Sequence, residues 1–372
     1  MDEKRSDTLL RTSTADRPQR ASMQKFWISV SACFLLGTLA THAAHADNLI
    51  VGVNVTNNDG SLSAAFQDEE INQLAEGHVT TIRVGLVSFN TDFIIKAYQH
   101  GIGSVVIVLP FLGLRGWSDV VYSKTTPEVF TERVKPILDK LEASGVRLTA
   151  FELGNEINNS QFNGDLPSVG EGRELRLADL NNPNDPQASQ VATGYRAYIR
   201  LMVALKDLRD TSRLNRRTPI ISAGLSQVHS TPFEVTLKDA IEFLNQNGLD
   251  KLVDGYGIHV YPSGDPNRPV SARIASLDEG MFSACRLKPC WVTEWGFRND
   301  GQDGQYCPGN NPVLTKVVQD MRMSFLHFAT KRQLAALIYY DWTARPGLKD
   351  TFSVSRCGGL TDAGKLALSP LH

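Results

Sequence analysis

Short hydrophobic segments rich in β-branched residues alternate with longer segments of helical periodicity along most of this 372-residue chain. This alternation constrains the fold more than any other feature, because strands that are hydrophobic at nearly every position are typical of parallel sheets covered by helices. The sequence predicts eight such strands, at residues 49–55, 80–86, 104–109, 148–154, 219–225, 253–260, 290–294 and 335–340.

Helix signals lie between the predicted strands. Thr126 is a suitable N-cap followed by a proline at the first helical position, and Gly145 ends the same amphipathic segment. Eight β/α units between residues 47 and 372 predict a single-domain (β/α)8 TIM barrel of the α/β class. A doubly wound sheet is the alternative, but no G-x-G-x-x-G motif follows the first strand and the chain has no P-loop. Residues 158–186 are too long for a plain connecting loop and are predicted to form one wall of a cleft.

The first 46 residues differ from the rest of the chain. Residues 1–22 are polar, residues 26–40 are almost entirely apolar, and an Ala-x-Ala pattern ends at Ala46. This order predicts a secretory signal peptide cleaved near Ala46, and therefore a periplasmic or secreted protein. An uncleaved anchor is the alternative, although the apolar stretch is shorter than the ~20 residues of a membrane span. Met23 is an alternative start of the chain.

Charge and composition exclude several classes of function. The chain carries 38 basic and 40 acidic residues, a net charge of −2, whereas nucleic-acid-binding proteins normally have an excess of cations. A mean hydropathy of −0.20 excludes a polytopic membrane protein. With 42% hydrophobic and 21% charged residues, the chain has the composition of a globular protein rather than a disordered one.

Four of the five cysteines remain once the predicted signal peptide is removed, and four cysteines allow three pairings. The short segment between Cys285 and Cys290 favours a disulfide between these two, which leaves Cys307 and Cys357 as the second pair. A zinc site is the alternative, but a C-x4-C spacing without nearby histidines argues against it. Two disulfides are therefore predicted.

Polar residues gather where several predicted strands end. The motifs are F-E-L-G-N-E at 151–156, G-I-H-V-Y at 257–261 and W-V-T-E-W-G at 291–296, with Arg83 in the second strand and Trp342 after the eighth. In TIM barrels the active site lies at the carboxyl ends of the strands. We therefore expect Glu156 and Glu294 to project from different strands onto one face of the barrel.

Two carboxyl groups on one face suit the cleavage of glycosidic bonds. One carboxylic acid protonates the leaving oxygen, while the other carboxylate meets the positive charge that develops at the anomeric carbon. Arg83 is predicted to keep Glu294 ionised, and Tyr261 is predicted to donate a hydrogen bond to the same carboxylate. Trp295 and Trp342 offer flat apolar faces to a sugar ring. No strand carries an H-x-H motif, which disfavours a metallohydrolase, and neither a metal nor a cofactor is expected.

These motifs resemble those of glycoside hydrolase clan A, the retaining (β/α)8 glycosidases that include cellulase-like family 5 and family 39-like enzymes. The resemblance covers the chain from residue 47 onward, including the closing segment between Phe352 and Lys365. One departure is Ile157, where the clan usually has proline. The resemblance implies Glu156 as acid/base, Glu294 as nucleophile, Asn155 as partner of the sugar 2-hydroxyl, Arg83 and Tyr261 as supports of the nucleophile, His259 as a subsite residue and Trp342 as a sugar platform.

The resemblance thus implies a retaining hydrolase that cleaves a β-linked polysaccharide or oligosaccharide, such as an exopolysaccharide, by double displacement and as a monomer. The carboxyl groups of Glu156 and Glu294 are then expected about 5–5.5 Å apart. Two alternatives remain, a non-catalytic carbohydrate-binding barrel and an anchored transglycosylase with the same covalent intermediate. Two residues also have structural interpretations, Glu152 as a buried partner of Arg83 and His259 as a core histidine.

Overall fold

The computed structural model describes most of the chain from residue 49 to residue 371. The described residues are 49–56, 63–109, 120–167, 172–227, 233–280, 282–285, 288–298, 311–342, 352–356 and 359–371. All of them belong to the structural unit His42–His372. The predicted signal peptide and the predicted pair of Cys307 and Cys357 lie outside the described residues and stay predictions. Within these described ranges, no helix combines the length and the apolar character that crossing a membrane requires.

Strands and helices alternate through the described ranges. In chain order they are β1 (Ile50–Asn54), α1 (Ala64–Glu76), β2 (Thr81–Gly85), α2 (Thr91–Gln99), β3 (Gly103–Val108), α3 (Pro127–Ala143), β4 (Ala150–Leu153), β5 (Arg173–Leu175), α4 (Leu177–Leu180), α5 (Pro186–Thr211), β6 (Ile220–Ile221), β7 (Leu225–Ser226), β8 (Phe233–Val235), α6 (Leu237–Gln246), β9 (Tyr256–Val260), α7 (Val270–Gly280), β10 (Cys290–Trp295), α8 (Pro312–Thr330), β11 (Leu334–Tyr339), β12 (Ser355–Arg356), β13 (Gly359–Leu360) and α9 (Asp362–Leu368). Short 3-10 helices lie at Ser88–Asn90, Tyr122–Lys124, Leu249–Lys251 and Phe282–Cys285.

Helix α3 shows how local sequence sets these boundaries. The Thr126 side chain accepts a hydrogen bond from the backbone N–H of Val129, and Pro127 occupies the first turn, where its missing N–H costs no hydrogen bond. The helix continues through Pro136 to Ala143. Phe130 is fully buried on the inner face of the helix, whereas the adjacent Val129 is 39% exposed.

The barrel is a parallel sheet whose two ends meet. The strand order is β6-β4-β3-β2-β1-β11-β10-β9-β7. Strands β6 and β7 belong to one stretch, 220–226, so that the first and last positions of the sheet lie on the same segment of chain. Bridges between Ile221 and Gly255, and between Asn155 and Gly224, complete the pairing on both sides of this segment. The sheet therefore has eight positions, which confirms the predicted (β/α)8 class.

The fifth barrel strand is interrupted, although the sequence predicts a continuous strand at 219–225. Between β6 and β7, the backbone N–H of Ala223 donates to the Tyr198 hydroxyl over 3.0 Å. The next N–H, that of Gly224, donates to the Glu152 carboxylate over 2.8 Å. Two backbone donors are thus satisfied by side chains instead of by a neighbouring strand, which explains the interruption.

The long segment 158–186 contains regular structure that the sequence did not reveal. Its strand β5 pairs in parallel with β8, which follows the fifth barrel strand, and Leu175 lies opposite Val235 in that pair. The side chain of Asn158 adds hydrogen bonds to the backbone oxygens of Ser226 and Val235, at 2.7 and 2.9 Å. The segment is therefore attached to the loop of the neighbouring β/α unit.

Two hydrophobic clusters build the core. The larger one lies between the strands and the helices. The smaller one is formed by strand residues of the barrel, which places it in the barrel interior. Its buried members are Val105, Ala150, Ile221, Trp291, Ala336 and Ile338.

A disulfide joins Cys285, at the end of a 3-10 helix, to Cys290, the first residue of β10. The two Cα atoms lie 5.4 Å apart, an ordinary separation for a disulfide. The first predicted pair is therefore confirmed, and it fixes the chain directly before the strand that carries Glu294.

Candidate active site

Glu294 lies on β10, one residue before the strand ends. Because side chains alternate along a strand, Trp295 points to the opposite side. There its ring packs edge-on against Phe325 of α8 and Tyr339 of β11, with centroid distances of 5.2 and 4.8 Å. Trp295 is fully buried and belongs to the outer core, which corrects its predicted role in sugar binding.

Arg83 of β2 joins Glu294 to four other side chains, the most distant of which is His259, with Nε2 3.5 Å from Nη2 of Arg83. Its Nη1 donates to Oε1 of Glu294 over 2.7 Å and to Oδ1 of Asn54 over 2.8 Å. Nε and Nη2 form a bidentate pair with Glu152 at 2.6 and 3.0 Å, and Nη2 also donates to Asn155 over 2.8 Å. Burial would lower the pKa of Arg83, but the charges of Glu152 and Glu294 raise it above its ordinary value. The interpretation of Glu152 as a buried partner of Arg83 is confirmed.

Both carboxylate oxygens of Glu294 accept hydrogen bonds. Arg83 donates to Oε1, and the Tyr261 hydroxyl donates to Oε2 over 2.5 Å. Burial would raise the pKa of Glu294, but the imidazole of His259, the charge of Arg83 and the two hydrogen bonds lower it below its ordinary value. Burial and the nearby carboxylate raise the pKa of Tyr261 well above its ordinary range, so its hydroxyl keeps its proton and donates. The predicted supports of Glu294 therefore do meet at this residue.

Glu156 lies three residues beyond the end of β4, where the backbone turns sharply. Gly154 and Glu156 both have left-handed backbone conformations, with φ of 84° and 41°. The backbone N–H of Glu156 donates to the carbonyl oxygen of Gly224 over 2.8 Å. Its Oε1 lies 2.8 Å from Nδ1 of His259, and its Oε2 accepts a hydrogen bond from Nδ2 of Asn159 over 2.9 Å. A carboxylate on strained backbone is thus held at both oxygens.

His259 of β9 links the two glutamates. Its Nδ1 lies 2.8 Å from Oε1 of Glu156 and 3.4 Å from Oε2 of Glu294. Because two carboxylates face this nitrogen, we assign the ring proton to Nδ1. A Cβ atom at Gly224 would come within 2.0 Å of Nε2, so only glycine lets the backbone pass this ring. His259 is 1% exposed, which places it beneath the carboxylates rather than at the predicted subsite surface.

Trp342 does not lie with the glutamates. Its ring is buried, and its Cη2 lies 3.1 Å from the position of a Cβ on Gly77, at the end of α1. The predicted sugar platform is therefore corrected. Tyr340 instead contacts Tyr261, the donor to Glu294, and the centroids of the two rings lie 6.3 Å apart. Phe352 packs at 5.7 Å from Tyr261, and we call these three rings the aromatic wall.

Two residues of the site, Tyr340 and Asn159, are not among those predicted from the sequence. A signal for Tyr340 existed, because Ile338 faces the barrel interior and Tyr340 lies two residues further along the same strand direction. No comparable signal marked Asn159, whose contact with Glu156 forms inside a loop. Asn54, the last residue of β1, donates through Nδ2 to the backbone oxygen of Thr293 over 2.9 Å.

A metal ion could in principle be bound by a group of three residues, Glu156, His259 and Glu294. One ligand atom from each lies within 4.8 Å of the others. The guanidinium of Arg83, however, already contacts Glu294 at 2.7 Å, and a second cation beside it would be repelled. The other oxygen of Glu294 accepts the hydrogen bond of Tyr261. The hydrogen-bond pattern therefore suits two carboxyl groups that act directly on an organic substrate.

Comparisons with known proteins support the barrel fold. No family model matches the chain, and no curated protein matches it. The virulence factor SghA from Agrobacterium tumefaciens, in complex with its substrate analogue salicin, aligns over 87% of this chain and 96% of its own, with a TM-score of 0.52 and 12% identity. A subgroup II GH128 endo-β-1,3-glucanase from Sorangium cellulosum aligns over 86% and 97%, with a TM-score of 0.50 and 14% identity. At such identities the likeness shows a shared fold.

Proposed function

We propose that this protein is a retaining glycoside hydrolase of clan A that cleaves O-glycosidic bonds in a β-linked glycan or exopolysaccharide. One observation carries the proposal: a carboxylate oxygen of Glu156 and one of Glu294 lie within 4.8 Å of each other. Retaining enzymes hold their carboxyl groups about 5–5.5 Å apart, whereas inverting enzymes leave about 6.5–9.5 Å for a water molecule. The short spacing therefore favours double displacement.

Glu294 is the nucleophile in this proposal. Its lowered pKa keeps the carboxylate ionised, and Arg83 and Tyr261 fix the positions of its oxygens. The carboxylate attacks the anomeric carbon opposite the leaving group, and the bond to the glycosidic oxygen breaks as the glycosyl ester forms. The same two supports stabilise Glu294 when it is released as a carboxylate at the end of the cycle.

Glu156 is the general acid and then the general base. In the first step it gives its proton to the glycosidic oxygen as that oxygen departs. In the second step it takes a proton from a water molecule, whose oxygen attacks the anomeric carbon and releases Glu294. The contacts from His259 and Asn159 hold both oxygens of this carboxyl group in place for the two transfers.

Neighbouring groups suit the binding of a sugar ring between the glutamates. Oδ1 of Asn155 accepts from Arg83, which leaves the Nδ2 end of the amide for the sugar 2-hydroxyl, the partner that the resemblance implies. The aromatic wall offers apolar ring surface beside Glu294. Since one solved protein of the same fold is an endo-β-1,3-glucanase, β-glucans are the first polymers to test.

We also propose that the protein is exported and acts as a monomer in the periplasm or outside the cell. The signal pattern that ends at Ala46 and the disulfide between Cys285 and Cys290 support an oxidising compartment. Protein recovered outside the cytoplasm should begin at Asp47. An intact mass that retains residues 1–46 would favour the anchored alternative.

The test of the activity distinguishes the two glutamates by how each variant fails. The wild-type protein is first assayed on β-glucan, mannan, xylan and aryl β-glycosides. With a 2,4-dinitrophenyl β-glycoside, Glu294→Ala should lose about 10⁴-fold or more in turnover, and azide should then give the α-glycosyl azide. Glu156→Ala should form the glycosyl ester and stall, and azide, which needs no general base, should release the β-glycosyl azide.

The exposed Glu132 supplies the matched control, because Glu132→Ala removes a carboxylate of α3 and should keep wild-type turnover. Azide products of the opposite configuration would mean that the two glutamates have exchanged roles. Glycan binding without any product would indicate a binding barrel, and products longer than the substrate would indicate a transglycosylase. Wild-type activity in both glutamate variants would refute the proposal.

A further inference from the structure

Glu156 receives a hydrogen bond from a residue of its own loop. Nδ2 of Asn159, three residues along the chain, lies 2.9 Å from Oε2 of Glu156. Asn159 is 3% exposed, so this amide is held within the protein rather than in water. The other oxygen, Oε1, faces Nδ1 of His259 over 2.8 Å. The carboxyl group is thus contacted from two sides by two different parts of the fold, a loop residue and a residue of β9.

The orientation of the Asn159 amide is fixed by its other end. Oδ1 of Asn159 lies 2.7 Å from the backbone nitrogen of Gln161. A backbone N–H can only donate, so the atom that faces it must be the carbonyl oxygen of the amide. The NH₂ group therefore points to Glu156, and Asn159 is a donor to this carboxylate.

The backbone around Asn159 is held to the rest of the fold. Its N–H donates to the carbonyl oxygen of Glu156 over 3.0 Å, and the N–H of Ser160 donates to Phe233 over 3.1 Å. A bridge joins Asn159 to Glu234 in the strand β8. Asn159 thus connects the strained backbone of Glu156 to the loop of the next β/α unit, which keeps the donor in position.

We propose that Asn159 is a positioning residue for the general acid/base, an inference that rests on the proposed function. The amide and the imidazole of His259 hold opposite oxygens and so fix the rotation of the carboxyl group about its last side-chain bond. Proton delivery to the glycosidic oxygen depends on this rotation, since the proton must point at the departing atom. A leaving group that departs without being protonated does not depend on the rotation of this carboxyl group.

The experiment compares two leaving groups on one sugar. Phenyl and 2,4-dinitrophenyl β-glycosides are prepared for the sugar that the wild-type protein hydrolyses fastest. Asn159→Ala should lower kcat/KM for the phenyl glycoside about tenfold or more, and that for the dinitrophenyl glycoside by less than about threefold. With the dinitrophenyl glycoside, azide should raise kcat of the variant, because the second step also lacks a well-placed base.

Asn159→Asp separates the donor from the shape of the side chain. The aspartate still offers an oxygen to the N–H of Gln161, but it places an oxygen instead of an NH₂ group against Glu156. The same selective loss on the phenyl glycoside is expected. This variant also keeps the inference testable if Asn159→Ala fails to fold, which thermal denaturation followed by circular dichroism would show.

Asn158 is the matched control. It is the preceding residue, is 2% exposed, and its Nδ2 donates to the backbone oxygens of Ser226 and Val235 rather than to Glu156. Asn158→Ala should lower the melting temperature, with equal effects on the two glycosides. The assignment would be overturned if the Asn159 variants lost kcat/KM equally on the two glycosides, or if Asn158→Ala lost it selectively on the phenyl glycoside. Either outcome would leave the proposed function standing. If wild-type protein cleaved neither glycoside nor any glycan, the proposed function itself would fail.

Discussion

Glu156 and Glu294 are equally buried, at 7% exposure each, and yet the protein surrounds them differently. Glu294 is paired with the guanidinium of Arg83, a permanent cation, and with the phenol of Tyr261. Glu156 is contacted by an imidazole and an amide, and no described guanidinium or ammonium group is paired with it. Burial therefore does not distinguish the two carboxyl groups, but the charge of their donors does. In the proposed mechanism, a fixed cation suits the group that must stay ionised, whereas donors without a permanent charge suit the group that must gain and lose a proton.

The backbone beneath the two residues also differs. Glu294 is part of a barrel strand that is paired on both sides, with β9 and with β11. Glu156 lies beyond its strand on left-handed backbone, and side chains of its own loop hold it. Glu294 is thus fixed by the sheet, and Glu156 is fixed by a local network. Substitutions in the network of one residue should leave the other in place.

The largest effect is expected for Arg83. Arg83→Met removes the cation and leaves the carboxylates of Glu152 and Glu294 buried without it. Breaking a buried pair in this way should lower the free energy of unfolding by about 3–5 kcal/mol, measured by urea denaturation. Arg147 is exposed, and Arg147→Met should change stability by less than about 0.5 kcal/mol. Equal stability of the two variants would contradict the dependence of Glu294 on a fixed cation.

Glu70 of α1 shows what burial does to a carboxyl group without such partners. It is 3% exposed, and neither of its oxygens has a hydrogen-bond partner in the described part of the chain. Burial raises the pKa of Glu70 from about 4.5 to about 7, opposite in direction to the shift of Glu294. The comparison indicates that donors, and not burial, lower the pKa of Glu294.

Glu70→Gln tests this contrast. The unfolded chain ionises near pH 4.5 and the folded chain near pH 7, so the folded protein binds more protons in this window and loses stability as the pH rises through it. Above pH 7 the variant should therefore be more stable than the wild type by up to about 3 kcal/mol, with little difference near pH 4. Glu69→Gln, at an exposed neighbouring position, should show no such pH dependence. A gain that does not vary with pH would contradict the raised pKa of Glu70.

The fold and the two glutamates follow from signals that are local in the chain. The hydrophobic runs predict the barrel strands because parallel strands bury both faces, and Glu156 and Glu294 are found at strand ends where barrels place polar chemistry. The interruption at Ala223 and Gly224 was not predictable in this way, because their partners are side chains of a helix and of another strand. Hydrophobicity patterns contain no information about such pairings.

The aromatic residues show where sequence interpretation fails at the site. Trp295 directly follows Glu294, but neighbours in a strand point to opposite sides, and the indole ring enters the outer core. Trp342 and Tyr340 are both aromatic residues near the end of the last barrel strand. Only the folded chain shows that the ring of Trp342 packs against Gly77. Residue type suggests a sugar contact, whereas the side of the strand decides whether the contact is possible.

The smallest effect is expected for Tyr261, the neutral member of the Glu294 environment. Tyr261→Phe removes the hydrogen bond to Oε2 and leaves the contact with Arg83 in place. A hydrogen bond to a charged group contributes about 1.5–3 kcal/mol, so kcat/KM should fall about 10–100-fold. Because this donor helps to lower the pKa of Glu294, that pKa should rise in the variant, and the acid limb of the pH profile should move to higher pH.

The sign of the same shift can be checked without substrate. The lowered pKa of Glu294 stabilises the folded protein above the pKa of the unfolded chain, and this contribution is lost as the pH falls through the folded-state value. In Tyr261→Phe the loss should therefore begin at a higher pH than in the wild type. Tyr339 is the matched control, because its hydroxyl accepts from the backbone N–H of Phe297 on the core side. Tyr339→Phe should leave the acid limb of the pH profile unchanged. If both variants shifted the acid limb equally, the cause would be a general loosening of the barrel and not the loss of the donor to Glu294.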